Sequence, residues 1–134
     1  MGVINSQFES ELIDSRNVLF NVPCNSSVFV GAAVRMSSGA AINAIADSIA
    51  NSNVIGVVEA KASLNQCDIR VGGVTTGNIF SGLDETKEYF LSDSIAGDLT
   101  TIPPLASTHI ILRVGQPYDD QNLLVIKGTR IIRL

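Results

Sequence analysis

Tryptophan is absent from this 134-residue chain, histidine occurs once, and aromatic residues make up only 5% of it. Stacking platforms for sugars or single strands need exposed aromatic rings. Tyr89 and Tyr118 are the only phenols, so that class of binding has little support. Basic residues number 9 against 13 acidic ones, a net charge of −4, and they are scattered along the chain. A nucleic-acid partner calls for a clustered basic face, so none is expected. No stretch reaches the ~18 consecutive apolar residues of a membrane span, and no membrane partner is expected either. The opening MGVINSQFESELIDSR has no basic region followed by an apolar run, which predicts no secretory signal. Cys24 and Cys67 are the only cysteines. With one histidine they are too few for a four-ligand zinc site. In a reducing compartment, the setting expected without a signal, both read as small buried apolar residues rather than a disulfide.

What the chain has is apolar content, 46%, with charge at 16%. That balance excludes disorder. No glycine triplet or heptad runs through the sequence, which excludes collagen-like and coiled-coil architectures. The length fits one domain that hides roughly two-thirds of its extended surface. Charge this sparse, against the usual ~25%, points to a surface partly covered by another protein chain.

Residues 1–16 differ from the rest: Phe8, Leu12 and Ile13 lie among Glu9, Glu11, Asp14 and Arg16. The spacing suits about one and a half helical turns or an arm laid on a neighbour, and equally a frayed terminus. From residue 17 the signals are β. Val18–Val22 ends at Pro23, and Val28–Val30 leads through Gly31 to Ala32–Met36. Ser37-Ser38-Gly39 is a turn cluster. Val54–Ala60 is strongly β-branched, with Gly56 marking a bulge or a close backbone approach. Cys67–Val71 alternates, and Gly72-Gly73 reads as a hairpin turn. Further strands are predicted at Asn78–Phe80, Glu88–Leu91, His109–Val114, Leu123–Ile126 and Arg130–Arg133, with Lys127-Gly128-Thr129 as a turn. Ala40–Ile49 is ambiguous, because Ile42, Ile45 and Ile49 have helical spacing while the alanines also alternate; a strand followed by a loop is favoured. The expected fold is all-β: a compact barrel, tulip-like module or sandwich of about ten short strands over residues 17–134, preceded by the arm 1–16.

Candidate chemistry is thin. His109 opens an apolar strand, and no nearby motif supplies a carboxylate to tune it for acid–base work. A strand-end histidine bonded to a turn is the simpler reading. Asp119 and Asp120 are adjacent, so on a strand they face opposite sides and serve paired-carboxylate chemistry poorly. They and Asp84-Glu85 read as solvated turns rather than Ca²⁺ ligands. Gly72–Gly77 lacks the Gly-Lys-Ser/Thr ending of a phosphate cradle. No GxSxG elbow, EF-hand loop or HExxH helix is present. Val57–Ala62, with Glu59 before Lys61, resembles the acid-then-lysine hairpin of lipoyl-type domains. It departs from them in running on through Ala62 and Leu64 without turn residues. No cofactor, metal or catalytic group is expected.

An ordered pattern spans residues 53–117. It runs Asn53-Val54-Ile55-Gly56-Val57-Val58-Glu59, then Cys67-Asp68-Ile69-Arg70 leading to Gly73-Val74. Gly82-Leu83-Asp84 then precedes Lys87-Glu88-Tyr89-Phe90-Leu91-Ser92. Ala96-Gly97-Asp98-Leu99-Thr100-Thr101-Ile102-Pro103-Pro104 follows, and His109–Pro117 ends it. The pattern resembles modules of small virion proteins of tailed bacteriophages, both head decoration (cement) proteins and tail-fibre proteins; residues 17–36 fit the preceding β segments more loosely. The resemblance implies a compact β module, commonly a homotrimer, without enzymatic activity, and carries over no catalytic or metal residues. It implies a virion location, on the capsid surface, for a protein made in the host cytoplasm. Chain size favours decoration over a fibre, which usually adds a long shaft. In that reading the partner is the major capsid protein, with Phe8, Leu12 and Ile13 laid in a groove between capsid subunits. The alternative is a tail or head fibre component or receptor-binding module.

Overall fold

Twelve short strands and no α-helix make up residues 17–134, the part of the chain that the computed structural model describes. The strands are β1 (Val18–Pro23), β2 (Ala33–Ser37), β3 (Ala40–Asn43), β4 (Gly56–Ser63), β5 (Gln66–Arg70), β6 (Gly73–Val74), β7 (Tyr89–Leu91), β8 (Leu99–Thr100), β9 (Ile110–Ile111), β10 (Arg113–Pro117), β11 (Leu123–Val125) and β12 (Ile131–Ile132). They form a five-stranded sheet ordered β1-β5-β4-β2-β3, a second ordered β6-β11-β10-β7-β8, and a two-stranded ribbon of β12 and β9. Every strand pairing is antiparallel. The all-β expectation holds. A closed barrel does not form among the described residues: the outer strands of the first sheet meet only through one bridge, Cys24 to Ala41. The arm 1–16, with Phe8, Leu12 and Ile13, lies outside the described residues.

The β-branched run at 54–58 becomes intelligible from the packing. Neighbouring residues on a strand face opposite sides, and here both sides are buried. Ala33 and Val57 enter a cluster with Leu91, Val114, Leu123 and Val125 of the second sheet. Val34 and Val58, one residue on, enter another with Cys24, Val28, Ala41, Cys67 and Ile69, inside the curl of the first sheet. The first sheet therefore has no solvated face at its centre, which is why its strands read as apolar runs rather than alternations.

Several sequence expectations fail because remote pairing overrides the local pattern. Gly72-Gly73 does not make a hairpin; Gly73, at φ 80°, turns the chain from the first sheet into the second, where β6 pairs with β11. Asn78–Phe80 and Val28–Val30 are irregular, because Ile79, Phe80 and Val28 are recruited to the cores from loops. The apolar run 109–114 is split at Leu112: β9 pairs with β12, whereas β10 joins the second sheet. Lys127-Gly128-Thr129 accordingly links two sheets rather than two adjacent strands. The favoured reading of 40–49 holds, with β3 followed by turns. The turn before it, Ser38-Gly39, has φ 51° and 81°, the two positive values that a primed hairpin turn needs.

Cys24 and Cys67 are free thiols, both buried. Burial first, and contact with the Cys24 thiol second, push the Cys67 thiol up from 9.0 to about 12. The folded chain thus keeps a proton that the unfolded chain releases above pH 9.0. Stability present below that pH is lost as pH rises toward about 12. The expected slope from this group is about 1.4 kcal/mol per pH unit. Urea denaturation across that range should show a shallower loss for Cys67→Ala than for the parent chain; equal slopes would remove Cys67 as the cause.

Candidate interaction surface

The loops flanking β8 build a concave feature that gathers chemically varied side chains. Residues 92–98 are tied down internally. The Ser92 hydroxyl accepts from the backbone N–H of Ser94 and of Ile95, each at 3.1 Å, and Ser92 N–H donates to Asp98 O at 3.0 Å. Residues 101–106 follow β8, stiffened by Pro103-Pro104 and by the Ile102 N–H bond to the Thr100 hydroxyl at 3.1 Å. Between the two loops lies an open cleft of about 340 Å³. Ser92, Asp93, Ser94 and Thr100 supply its polar lining, and Ile102, Pro103, Pro104 and Leu105 its apolar one. Ile102 and Leu105 are 66% and 69% exposed, and Ile95, on the facing loop, is 60% exposed. Ile102 and Leu105 share one cleft, whereas side chains of similar exposure, such as Phe20 and Leu64, stand elsewhere on the surface.

Behind the cleft, His109 Nδ1 meets Asp93 Oδ2 at 2.8 Å, with both side chains half-buried. This corrects the reading of His109 as lacking a carboxylate. Its strand-end position was legible, but the partner comes from a loop 16 residues earlier, and nothing local links them. The pair fastens the 92–98 loop to the start of β9. Beside it, Thr108 N–H donates to Arg133 O and Arg133 N–H to His109 O, joining this end to the β9–β12 ribbon. There Ile131 and Ile132 are again exposed. The imidazole's Nδ1 is thus engaged by a carboxylate that orients the ring. What the assembly offers is an apolar rim around hydroxyl and carboxylate groups.

The other candidates fall where their turns put them. Asp119 lies in the β10–β11 turn, where its carboxylate accepts from the backbone of Gln121 at 2.8 Å and of Asn122 at 2.7 Å. Those bonds, Gln121's first, hold its pKa below the ordinary value. Asp84 is likewise lowered, first by the Thr86 hydroxyl and then by the Thr86 backbone. Both act as turn-forming caps. Lys61 is no exposed turn lysine: it lies within β4, and its ammonium donates to Val28 O at 2.7 Å. The hairpin turn is Leu64-Asn65, set by the Ser63–Gln66 pairing. Among the described residues, no group of three or more His, Cys, Asp or Glu could hold a metal ion, and no helix is long and apolar enough to cross a membrane.

The fold and this surface define an antiparallel β module of two five-stranded sheets and a ribbon, with a partly apolar cleft beside β8. No protein family, curated protein or solved structure matches the chain.

Proposed function

We propose that this chain is a tailed-bacteriophage capsid decoration (cement) protein. It binds the outer surface of the head, as a homotrimer, and stabilises the shell by bridging major capsid protein subunits. The observation that carries the reading is the pair of large exposed apolar side chains that line the cleft, Ile102 and Leu105, with exposed Ile95 on the neighbouring loop. They belong to a body with two well-filled cores, and charge is sparse over the whole chain. Exposed apolar groups gathered on stiff loops favour a protein partner. The sequence pattern across residues 53–117 supports a virion setting.

Bridging works through many modest contacts. Once one chain grips a capsomer, its second contact is intramolecular and gains from effective concentration. Specific interfaces of this kind bury on the order of 1,600 Å². Repeated over a shell, they resist internal pressure and heat.

Purified protein added to expanded heads stripped of their decoration is expected to bind and to raise the temperature at which they rupture. Unchanged rupture temperature with no bound protein ends the proposal. Ile102→Asp combined with Leu105→Asp should weaken shell binding at least tenfold while shifting folding stability by no more than ~0.5 kcal/mol, the usual surface effect. Deleting residues 1–14 tests the arm separately: a folded body with reduced shell occupancy is the expected result. A second reading, a fibre or receptor-binding component, draws on the hydroxyl and carboxylate lining of the same cleft, which suits a polyhydroxylated glycan. Binding of the isolated protein to host-surface glycans, without binding to heads, would select it.

A further inference from the structure

The two cysteines lie 43 positions apart in sequence and meet in the fold. Val22 on β1 pairs with Cys67 on β5. Cys24 is two residues beyond Val22, so its side chain falls on the same face of the sheet. It is therefore a diagonal neighbour of Cys67 across the strand pair, about 7–8 Å away between Cα atoms, so closing a disulfide draws the chain end beyond β1 inward. Cys24 N–H donates to Asn65 O at 2.9 Å, which continues the register past the end of β1 and fixes the diagonal. Both side chains enter the same apolar cluster, at 4% and 0% exposure.

We infer that Cys24 and Cys67 form a latent disulfide staple, closed by exchange with a low-molecular-weight disulfide and reopened by thiols. One protein thiolate attacks the external disulfide and releases one small thiol. The second cysteine then attacks the mixed disulfide and releases the other. Two protein S–H bonds and one external S–S bond become one protein S–S bond and two external thiols, which carry away both protons.

Burial decides when this happens. The Cys67 thiol, held protonated in the folded chain, is a poor nucleophile there. Exchange therefore proceeds while the chain folds, or when the outer strand β1 frays and lifts Cys24 away. In a reducing compartment the pair remains two small apolar side chains. In an oxidising one it fastens β1 to the β4–β5 hairpin and so fixes the strand into which residues 1–16 lead. The inference does not depend on the proposed capsid partner.

The test is to refold the full chain from urea in a glutathione redox buffer, cap free thiols, and compare it with the same chain refolded in excess reductant. The expected product is monomeric, has lost two hydrogens by intact mass and carries no cap. Its melting temperature should rise on the order of 10 °C for a loop of this length, and the rise should vanish on adding reductant. Because the comparison uses the unaltered chain in both states, it does not rely on a cysteine variant that folds. Two capped thiols, a persistent glutathione adduct or a cross-linked dimer would each overturn the inference.

Discussion

Arg70→Met is expected to cost about 3–5 kcal/mol of folding stability. The Arg70 and Glu59 side chains are 6% and 11% exposed. They join two-pronged, Nε to Oε2 at 2.8 Å and Nη2 to Oε1 at 3.2 Å. Glu59 Oε2 also accepts the Thr76 N–H at 2.9 Å, which brings the loop beyond β6 onto the first sheet. Removing the guanidinium leaves a carboxylate nearly out of water with one backbone donor, and that uncompensated charge sets the magnitude. A paired replacement, Arg70→Met with Glu59→Leu, should therefore recover most of the loss, since it removes the charge instead of stranding it. Urea denaturation of the three proteins decides the matter. If the double variant is no more stable than the single one, packing rather than charge explains the effect.

Gly56→Ala should be comparably damaging, at about 3 kcal/mol or more, through overpacking. A Cβ added there falls 2.2 Å from Arg70 O and 2.8 Å from Ile69 Cγ2. The first of these is backbone within the same sheet, so it cannot swing aside. Gly115 is in the same position, with a Cβ 2.3 Å from Leu124 O. Gly39 is the control. It has nothing within 4 Å of a built Cβ but a φ of +81°, so Gly39→Ala should lose only the ~1–2 kcal/mol of a strained left-handed residue. Thermal melts that place Gly56→Ala at or above Gly39→Ala would contradict the crowding argument.

Gly56 is also a place where the sequence could be read correctly. A glycine inside a β-branched run has few reasons to be there other than a bulge or a close approach, and the close approach is what the sheet requires. The Ser38-Gly39 turn was legible for a similar reason, since local chemistry fixes it, whereas the strand at 40–43 was only the favoured of two readings. Where the expectation failed, the deciding interaction was remote. Nothing near Leu112 announces that one apolar run serves two sheets; that follows from β12 pairing with β9 and β7 pairing with β10. Ile79 and Phe80 looked like strand residues because core residues on loops are as apolar as those on strands. The candidate surface was the least legible part. Asp93 is one of many acidic turn residues until the fold sets it against His109. Ile102 and Leu105 gave no sign that they would stay in water rather than join a core.

The outer strands carry one more consequence. In the second sheet they are β6 and β8, and the ribbon consists of β9 and β12, all two residues long. In the first sheet β1 carries an irregular register between Leu19 and Val22, and its end reaches toward β3. Unpaired edges are templates on which further chains can add, strand upon strand, into fibrils. Apart from the four-residue β3, edges this short or interrupted offer such growth no straight row of donors and acceptors among the described residues.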